Sequence, residues 1–223
     1  MMRLLAVLTA MVLFAPVAGA EPSSAVAFDV ATVKLLAAAD PASGEVIAKE
    51  SKCAKCHGDA GVSDDPEDVN IAGMSVSYIY KQLKDYQDKK RDDKDMYKKT
   101  RNLDEKQMAD LAAWFSSQEP APVAADRNTD PAVLRLVFHG DPTRLLKACA
   151  SCHGRDGRGG QFDHPALAGQ YPEYFIYTLT EFKEEDRTND IYSRMRHIAA
   201  ALTEEEIEAL AGYYATAVPE EEE

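Results

Sequence analysis

The stretches CAKCHGDAG, residues 53–61, and CASCHGRDG, residues 149–157, repeat one pattern within a chain of 223 residues. Their offset of 96 residues also relates positions outside the motifs, namely Gly73 to Gly169, Tyr78 to Tyr174 and Arg91 to Arg187. Farther along the chain the offset becomes 99, as it is between Met96 and Met195, which a three-residue insertion in the second half explains. The sequence therefore predicts a tandem duplication of one domain.

Each copy of the pattern has two cysteines separated by two residues, and a histidine follows directly. Cys-x-x-Cys-His is the attachment sequence of c-type haem. Two thiols at this spacing can add across the two vinyl groups at one edge of the porphyrin, while the adjacent histidine lies beneath the iron. The sequence predicts two covalently bound haem c groups, with Cys53, Cys56, Cys149 and Cys152 as the attachment residues and His57 and His153 as proximal iron ligands.

Other uses of the four cysteines fit less well. Two disulfides or a thioredoxin-like site would not require a histidine after each pair. A zinc site built from both pairs would span the 92 residues between Cys56 and Cys149, whereas such sites usually have about 12–20 residues between the pairs. Haem attachment is the favoured interpretation, with disulfide and zinc as the alternatives.

Composition limits the class of protein. Hydrophobic residues make up 45% of the chain and charged residues 28%, which is typical of a globular protein. The formal net charge of −13 argues against nucleic acid as a partner, because phosphates would be repelled. We expect a partner with a basic surface instead.

The first twenty residues have the layout of an export signal. Arg3 precedes an apolar run from Leu4 to Phe14, and small residues stand at Ala18 and Ala20. We interpret residues 1–20 as a cleavable signal peptide, because the apolar run is too short to cross a bilayer. The alternative is an uncleaved anchor. Export predicts a periplasmic protein, with peripheral association at the membrane as a further option.

Both halves are predicted to be helical. Thr203 with Glu206, and Asp104 with Gln107, have the spacing of capping boxes at the start of a helix. Apolar residues then recur at helical spacing in both halves. Further helices are expected at residues 44–52, 78–88, 142–148 and 173–184, and an extra one within 25–39. The predicted fold class is all-α.

The predicted organisation places a linker between two domains. Residues 118–131 are rich in proline, alanine and polar residues. We expect an N-terminal domain at 21–118, a linker at 119–131 and a C-terminal domain at 132–223. In residues 85–101, lysines and acids are interleaved, which favours a solvated loop with little net field over a docking surface.

The repeat also selects the predicted sixth iron ligands. A distal ligand should follow its haem motif, should be of a type that binds iron, and should recur in both halves. Met96 and Met195 meet all three conditions. The competing residues each fail one of them, namely Met74, Met108, His139, His164 and His197. Ligation by histidine and methionine would raise the reduction potential and leave no open position for a substrate.

The second half resembles a known family. The motif CxxCHG, the run PALAGQ at 165–170, the methionine at 195 and LTEEEIEALAGYY at 202–214 look like cytochrome c4, a family of dihaem class I cytochromes. The resemblance spans residues 40–217 and implies two class I folds facing each other. In the first half, Val69 stands where Pro165 predicts proline. The family's proline carbonyl orients the proximal histidine, so the resemblance implies weaker support for His57 than for His153.

A carrier function follows from this resemblance. A dihaem peroxidase would need an open iron, and a thiosulfate-oxidising dihaem enzyme would need a cysteine ligand, yet all four cysteines are used for attachment. We expect a non-enzymatic electron carrier between a quinol-oxidising complex and a terminal oxidase or reductase. The alternative is a cytochrome subunit that accepts electrons from a dedicated dehydrogenase, such as a flavocytochrome c sulfide dehydrogenase. A module that only docks other proteins is less favoured.

Overall fold

The computed structural model describes residues 23–215, so the predicted signal peptide at 1–20 and the acidic C-terminal end lie outside the described residues. Between residues 23 and 215 the regular structure is helical and has no strand, apart from two isolated bridges. No helix in this range is both long enough and apolar enough to cross a membrane. The helices are α1 Val30–Ala37, α2 Pro41–Glu50, α3 Ala54–His57, α4 Val76–Gln87, α5 Lys94–Thr100, α6 Glu105–Ser116, α7 Pro131–Phe138, α8 Ala150–His153, α9 Pro172–Lys183, α10 Arg194–Ala201 and α11 Glu204–Tyr214.

Helix α6 is the centre of the first half and packs against α2 and α4. Its inward face is apolar, and Met108, Leu111 and Phe115 are buried in one core. Gly44 lets α2 approach α6 closely, because a Cβ atom there would lie 2.0 Å from the carbonyl oxygen of Asp110. The first half therefore has its own hydrophobic core.

The second half repeats this arrangement around α11, which packs against α7 and α9. Ile207, Leu210 and Tyr214 are buried in a second core. Both predicted capping boxes are present, at the first residues of α6 and α11. The predicted all-α tandem duplication is confirmed by two separate cores of matching construction.

The extra helix expected within residues 25–39 is α1. It packs on α6, and Leu35 and Leu36 lie against the first core. Asp29 caps its first turn by accepting a hydrogen bond from the Thr32 backbone at 2.8 Å. Helix α1 thus covers part of the first core. Among residues 23–215, the second domain has no equivalent of this helix.

Two local expectations are wrong. Residues 142–148 do not form a helix, because the chain makes one 3-10 turn at Pro142–Arg144 and Leu145 then adopts a left-handed conformation with φ of 57°. Residues 85–101 are not a continuous loop, because they contain the last residues of α4 and the whole of α5. Asp93 starts α5 by accepting hydrogen bonds from the backbone of Asp95 and Met96.

The segment between α6 and α7 is extended and held in place. Ala121 is buried, and the Ala124 backbone N–H donates to the Ala215 carbonyl at 3.0 Å. The predicted linker thus runs along the second domain over part of its length. Its exact boundaries at 119 and 131 stay a prediction.

Candidate haem centres

Each haem motif forms one helical turn, α3 or α8. The backbone N–H of His57 donates to the Cys53 carbonyl at 3.1 Å, and that of His153 donates to the Cys149 carbonyl at 2.9 Å. Residues i, i+3 and i+4 of a helix share one face. The turn therefore places the two thiols and the imidazole of each motif on the same side of the chain.

A glycine ends each of these turns. Gly58 and Gly154 have φ of 70° and 83°, a conformation that side-chain-bearing residues rarely adopt. A Cβ atom on Gly58 would also lie 1.8 Å from the carbonyl oxygen of Val62. The glycine after the histidine is thus required by the backbone, which explains why the repeated motif is CxxCHG.

Each motif histidine is oriented by a backbone carbonyl twelve residues downstream. The Nδ1 atom of His57 lies 3.0 Å from the Val69 oxygen, and that of His153 lies 2.9 Å from the Pro165 oxygen. A carbonyl oxygen only accepts, so Nδ1 carries the hydrogen and Nε2 keeps its lone pair for a metal. The weaker support expected for His57 is not found, because a main-chain acceptor does not depend on proline being present.

Burial keeps both imidazoles neutral. Loss of solvent lowers the pKa of His153 to about 4, and it also lowers the pKa of His57 below the ordinary histidine value. Only the neutral ring has a free lone pair for iron. Both histidines therefore have the protonation state that a haem iron ligand requires.

The cysteines are available for attachment. All four lie within the described residues, and none is in a disulfide. Cys53 and Cys149 pack against the two hydrophobic cores, whereas Cys56 is exposed. Burial raises the pKa of Cys149 to about 11 and raises that of Cys53. All four thiols are thus free, as attachment to haem requires.

A large cavity lies at the second motif and has a volume of about 510 Å³, within the range of cofactor pockets. The predicted proximal ligand His153 and the predicted distal ligand Met195 both line it, together with Cys149 and Cys152. Its wall is mostly apolar, with Phe175, Leu179, Phe182, Leu202 and Leu210 among the lining residues. The structure thus brings together the four residues predicted for this haem.

The other candidate ligands near this cavity are less suitable. His164 also lines it, but its Nε2 atom lies 2.9 Å from Nη1 of Arg194. A guanidinium only donates, so the lone pair of that nitrogen is already used. His197 lines the cavity on exposed surface. Met195 remains the best placed distal ligand.

In the first domain, Met96 occupies the position of the repeat that is equivalent to Met195. It lies in the first turn of α5 and is half-buried. Thr100 fixes this turn, because its hydroxyl donates to the Met96 carbonyl at 2.9 Å. Met96 and Met195 thus both lie in the first turn of the helix that precedes the capping box. Their role as ligands stays a prediction.

The first domain contributes residues to the second cavity that the sequence did not indicate. Met74, Tyr78, Lys81 and Gln82 line it together with the residues of the second motif. No periodicity or motif connects these positions with the residues around Cys149, so sequence reasoning missed them. The second haem cavity therefore opens onto the interface between the two domains.

Buried hydrogen bonds join the domains at one point near both motifs. The Asn70 backbone N–H donates to the Gln170 side chain at 3.0 Å, and Gln170 Nε2 donates back to the Asn70 carbonyl at 2.9 Å. The Asn70 side chain also donates to the Gly169 carbonyl. The equivalent chain segments of the two halves therefore face each other.

A second set of buried polar groups lies beside the cavity. Lys81 is almost fully buried, and it donates to the carboxylate of Asp85 and to the Asn189 carbonyl of the other domain at 2.6 Å. The Asn189 side chain donates to Asp85 at 2.7 Å and to Gln82 at 3.1 Å. Because these groups satisfy one another, the interface can bury charge without leaving it unpaired.

Comparison with known proteins agrees with this geometry. The family model for cytochrome c matches residues 41–119 and 143–217. Cytochrome c4 of Pseudomonas aeruginosa is 36% identical over 179 residues, which cover 79% of this chain and 88% of that protein. A protein named thiosulfate dehydrogenase electron acceptor, from Stutzerimonas stutzeri, is 32% identical over 167 residues, with coverage of 73% and 77%.

A solved structure supports the same assignment. The crystal structure of reduced recombinant cytochrome c4 from Pseudomonas stutzeri matches with a TM-score of 0.72 at 32% identity. The match covers 80% of this chain and 99% of that one. The chain therefore belongs to the cytochrome c4 family, with two cytochrome c domains in tandem and two haem c groups.

Proposed function

We propose that this cytochrome carries electrons in the periplasm from a quinol-oxidising complex to a terminal oxidase or reductase. When bound, each haem supplies one-electron redox chemistry at its iron. The residues proposed to hold the two haems are Cys53, Cys56, His57 and Met96 in the first domain, and Cys149, Cys152, His153 and Met195 in the second.

The side chains have separate tasks in this proposal. Two thiols in each domain would attach one porphyrin, and the imidazole Nε2 atoms of His57 and His153 would bind the irons. Met96 and Met195 would supply the second protein ligand of each iron, so no position would be left for a substrate. The mostly apolar wall of the cavity in the second domain limits the access of water. These roles suit a protein that transfers electrons and does not make or break bonds in a substrate.

One observation carries the proposal most strongly: the cavity of the second haem is lined by residues of both domains. Tyr78 and Gln82 of the first domain border the same cavity as His153. The buried hydrogen bonds between Asn70 and Gln170 hold the domains in this arrangement. This arrangement supports a carrier in which electrons pass between the two haems within one molecule.

The test is reconstitution of the electron pathway with the mature holoprotein. Quinol and isolated membranes of the source cell should reduce both haems, and inhibiting the quinol-oxidising complex should stop the reduction. Reoxidation in air should require membranes that contain the oxidase. If membranes fail to reduce the protein, the proposed donor is contradicted. If cell fractionation finds the protein outside the periplasm, the proposed compartment is contradicted.

The second candidate function is acceptance of electrons from a dedicated dehydrogenase. One relative is named a thiosulfate dehydrogenase electron acceptor. A flavocytochrome c sulfide dehydrogenase would be another electron donor of this kind. Here the native protein should co-purify with its dehydrogenase, and thiosulfate or sulfide should reduce it only in the presence of that enzyme. Reduction by quinol and membranes alone would favour the first function.

A further inference from the structure

Five lysines gather around the first haem motif. Lys52 and Lys55 belong to the motif segment, whereas the other three, Lys94, Lys98 and Lys99, belong to α5. The Lys99 ammonium donates to the Ser51 carbonyl at 2.6 Å, which joins α5 to the residue directly before Lys52. We call these five residues the lysine cluster.

The lysine cluster is exposed, and so is the attachment residue Cys56 beside it. Within residues 23–215, no carboxylate lies within 4 Å of the ammonium groups of Lys52, Lys55 or Lys94. Only Lys98 has an ion pair, with Asp95 at 2.7 Å. Solvent-facing positive charge therefore surrounds the place where the edge of the first haem is attached.

Folding takes two of the five acids of residues 85–101 away from the lysine cluster. Asp85 is fully buried against Lys81 and Asn189, and Asp88 lies 3.5 Å from Lys84. Asp93 caps α5 with both of its hydrogen bonds to the backbone. Asp92, Asp93 and Asp95 remain exposed beside the cluster, so its five lysines leave an excess of positive charge over these three acids.

The second haem motif has no such cluster. The repeat offset relates the five lysines to residues of other types, namely Ala148, Ser151, Ser193, His197 and Ile198. Two of the basic residues nearby are paired, since Arg194 contacts Asp163 at 2.8 Å and Arg196 contacts Asp190 at 2.8 Å, and only Lys147 is an exposed lysine among the residues that line this cavity. Haem attachment therefore does not require these lysines, and they distinguish one haem from the other.

We propose that the lysine cluster is the docking surface for a redox protein with an acidic surface, so that this partner exchanges electrons through the first haem. This inference rests on the proposed carrier function. In a chain with a net charge of −13, a local basic surface orients an acidic partner while the rest of the molecule repels it. The same effect speeds encounter, and salt weakens it.

A protein partner fits this surface better than a membrane of anionic lipid. A flat anionic bilayer would also face the acidic surface around the cluster and would be repelled by it. A protein can confine its contact to the cluster. Lys52 and Lys55 also border the exposed Cys56, so a partner bound there would lie close to the haem edge. A membrane would gain nothing from that position.

The experiment compares two pairs of charge reversals in the mature dihaem protein. The test variant is Lys55→Glu with Lys94→Glu, and the control is Lys34→Glu with Arg135→Glu, which changes the net charge equally at exposed basic residues elsewhere. Stopped-flow absorbance follows electron transfer from each reduced protein to plastocyanin, a blue-copper protein with an acidic patch. Azurin, whose copper edge is apolar, is the neutral comparison.

We expect the test variant to reduce plastocyanin about tenfold more slowly at low ionic strength, and to lose most of the salt dependence of the wild-type rate. The control variant should stay within about twofold of wild type. All three proteins should reduce azurin at the same rate and transfer two electrons per chain, which shows that both haems are intact.

Equal slowing in both variants, or slowing in neither, would overturn the proposed docking surface. So would sedimentation with phosphatidylglycerol vesicles that depends on Lys55 and Lys94 while the plastocyanin rates stay unchanged. A wild-type protein that reduces neither copper protein would instead contradict the carrier function itself, so the two failures are distinguishable.

Discussion

The spacing of individual residues explains the chemistry of both centres. A cysteine, a second cysteine three positions later and a histidine after it lie on one face of a single helical turn. The carbonyls of Val69 and Pro165 then direct Nδ1 of His57 and His153. Since both contacts use the main chain, the difference between valine and proline does not by itself make the two proximal ligands unequal.

The distal ligand of the second haem can be tested at the level of one side chain. Met195→Leu should remove about half of the weak near-infrared absorption of ferric haem with methionine ligation, because one of two ligated haems loses its sulfur. The reduction potential of that haem should fall for the same reason. Absorption spectra of the oxidised protein measure the first effect, and a redox titration measures the second.

Met74→Leu is the matched control for this change. Met74 lines the same cavity but is buried in the first core, and leucine conserves its volume. Its variant should keep the full near-infrared band. If half of the band were lost in Met74→Leu and the full band were kept in Met195→Leu, Met74 and not Met195 would be the distal ligand.

At the level of secondary structure, both halves use the same device to begin their last helix. In α11, the Thr203 hydroxyl accepts from the Glu206 backbone at 3.2 Å, and the Glu206 side chain accepts from the Thr203 backbone at 2.9 Å. Glu206 also binds Arg144 at 2.8 Å. Glu206 therefore stabilises the start of α11 and also holds the turn that contains Arg144.

Thr203→Ala should lower the free energy of unfolding by about 1 kcal/mol, because the Glu206 N–H loses its side-chain acceptor at the first turn. Urea unfolding followed by circular dichroism measures the change. Thr203→Ser keeps the hydroxyl and should stay close to wild type. A Thr203→Ala variant as stable as Thr203→Ser would show that the cap contributes little here.

At the scale of the whole molecule, the interface between the domains determines how the haems can communicate. Gln170 makes reciprocal hydrogen bonds with the Asn70 backbone, and the Tyr171 hydroxyl donates to the Ser63 carbonyl at 2.7 Å. All of these groups are buried. Water cannot replace lost partners there without opening the interface.

Gln170→Ala should therefore weaken the contact between the domains. It leaves the Asn70 N–H and carbonyl without their partners, and each buried unsatisfied group costs about 1–3 kcal/mol. We expect lower stability and faster proteolysis of the predicted linker at 119–131. Timed digestion of the holoprotein, analysed by mass spectrometry, measures the cleavage.

Gln118→Ala provides the comparison, because within residues 23–215 the Gln118 side chain hydrogen-bonds only to Trp114 and Ser117, at the C-terminal end of α6. Its digestion should match that of wild type. Cleavage that is equally fast in both variants would assign the effect to the linker itself and not to the interface.

Several properties of this protein follow from the sequence without a structure. The CxxCHG motifs specify haem attachment, because their chemistry depends on residues within five positions of one another. The repeat offset reveals the duplication, and the capping boxes at Asp104 and Thr203 are read from spacing alone. Local hydrogen bonds and helical periodicity determine all of these features, so the sequence suffices to predict them.

Other properties depend on contacts between residues far apart in the chain. The Val69 carbonyl supports His57 although no proline is present, and Met74 enters the cavity of the other domain's haem. The interleaved charges of residues 85–101 become a lysine cluster only when Asp85 is buried against Asn189 and Lys99 reaches Ser51. Charge and cavity shape are sums over neighbours in space, and only the tertiary structure determines which neighbours those are.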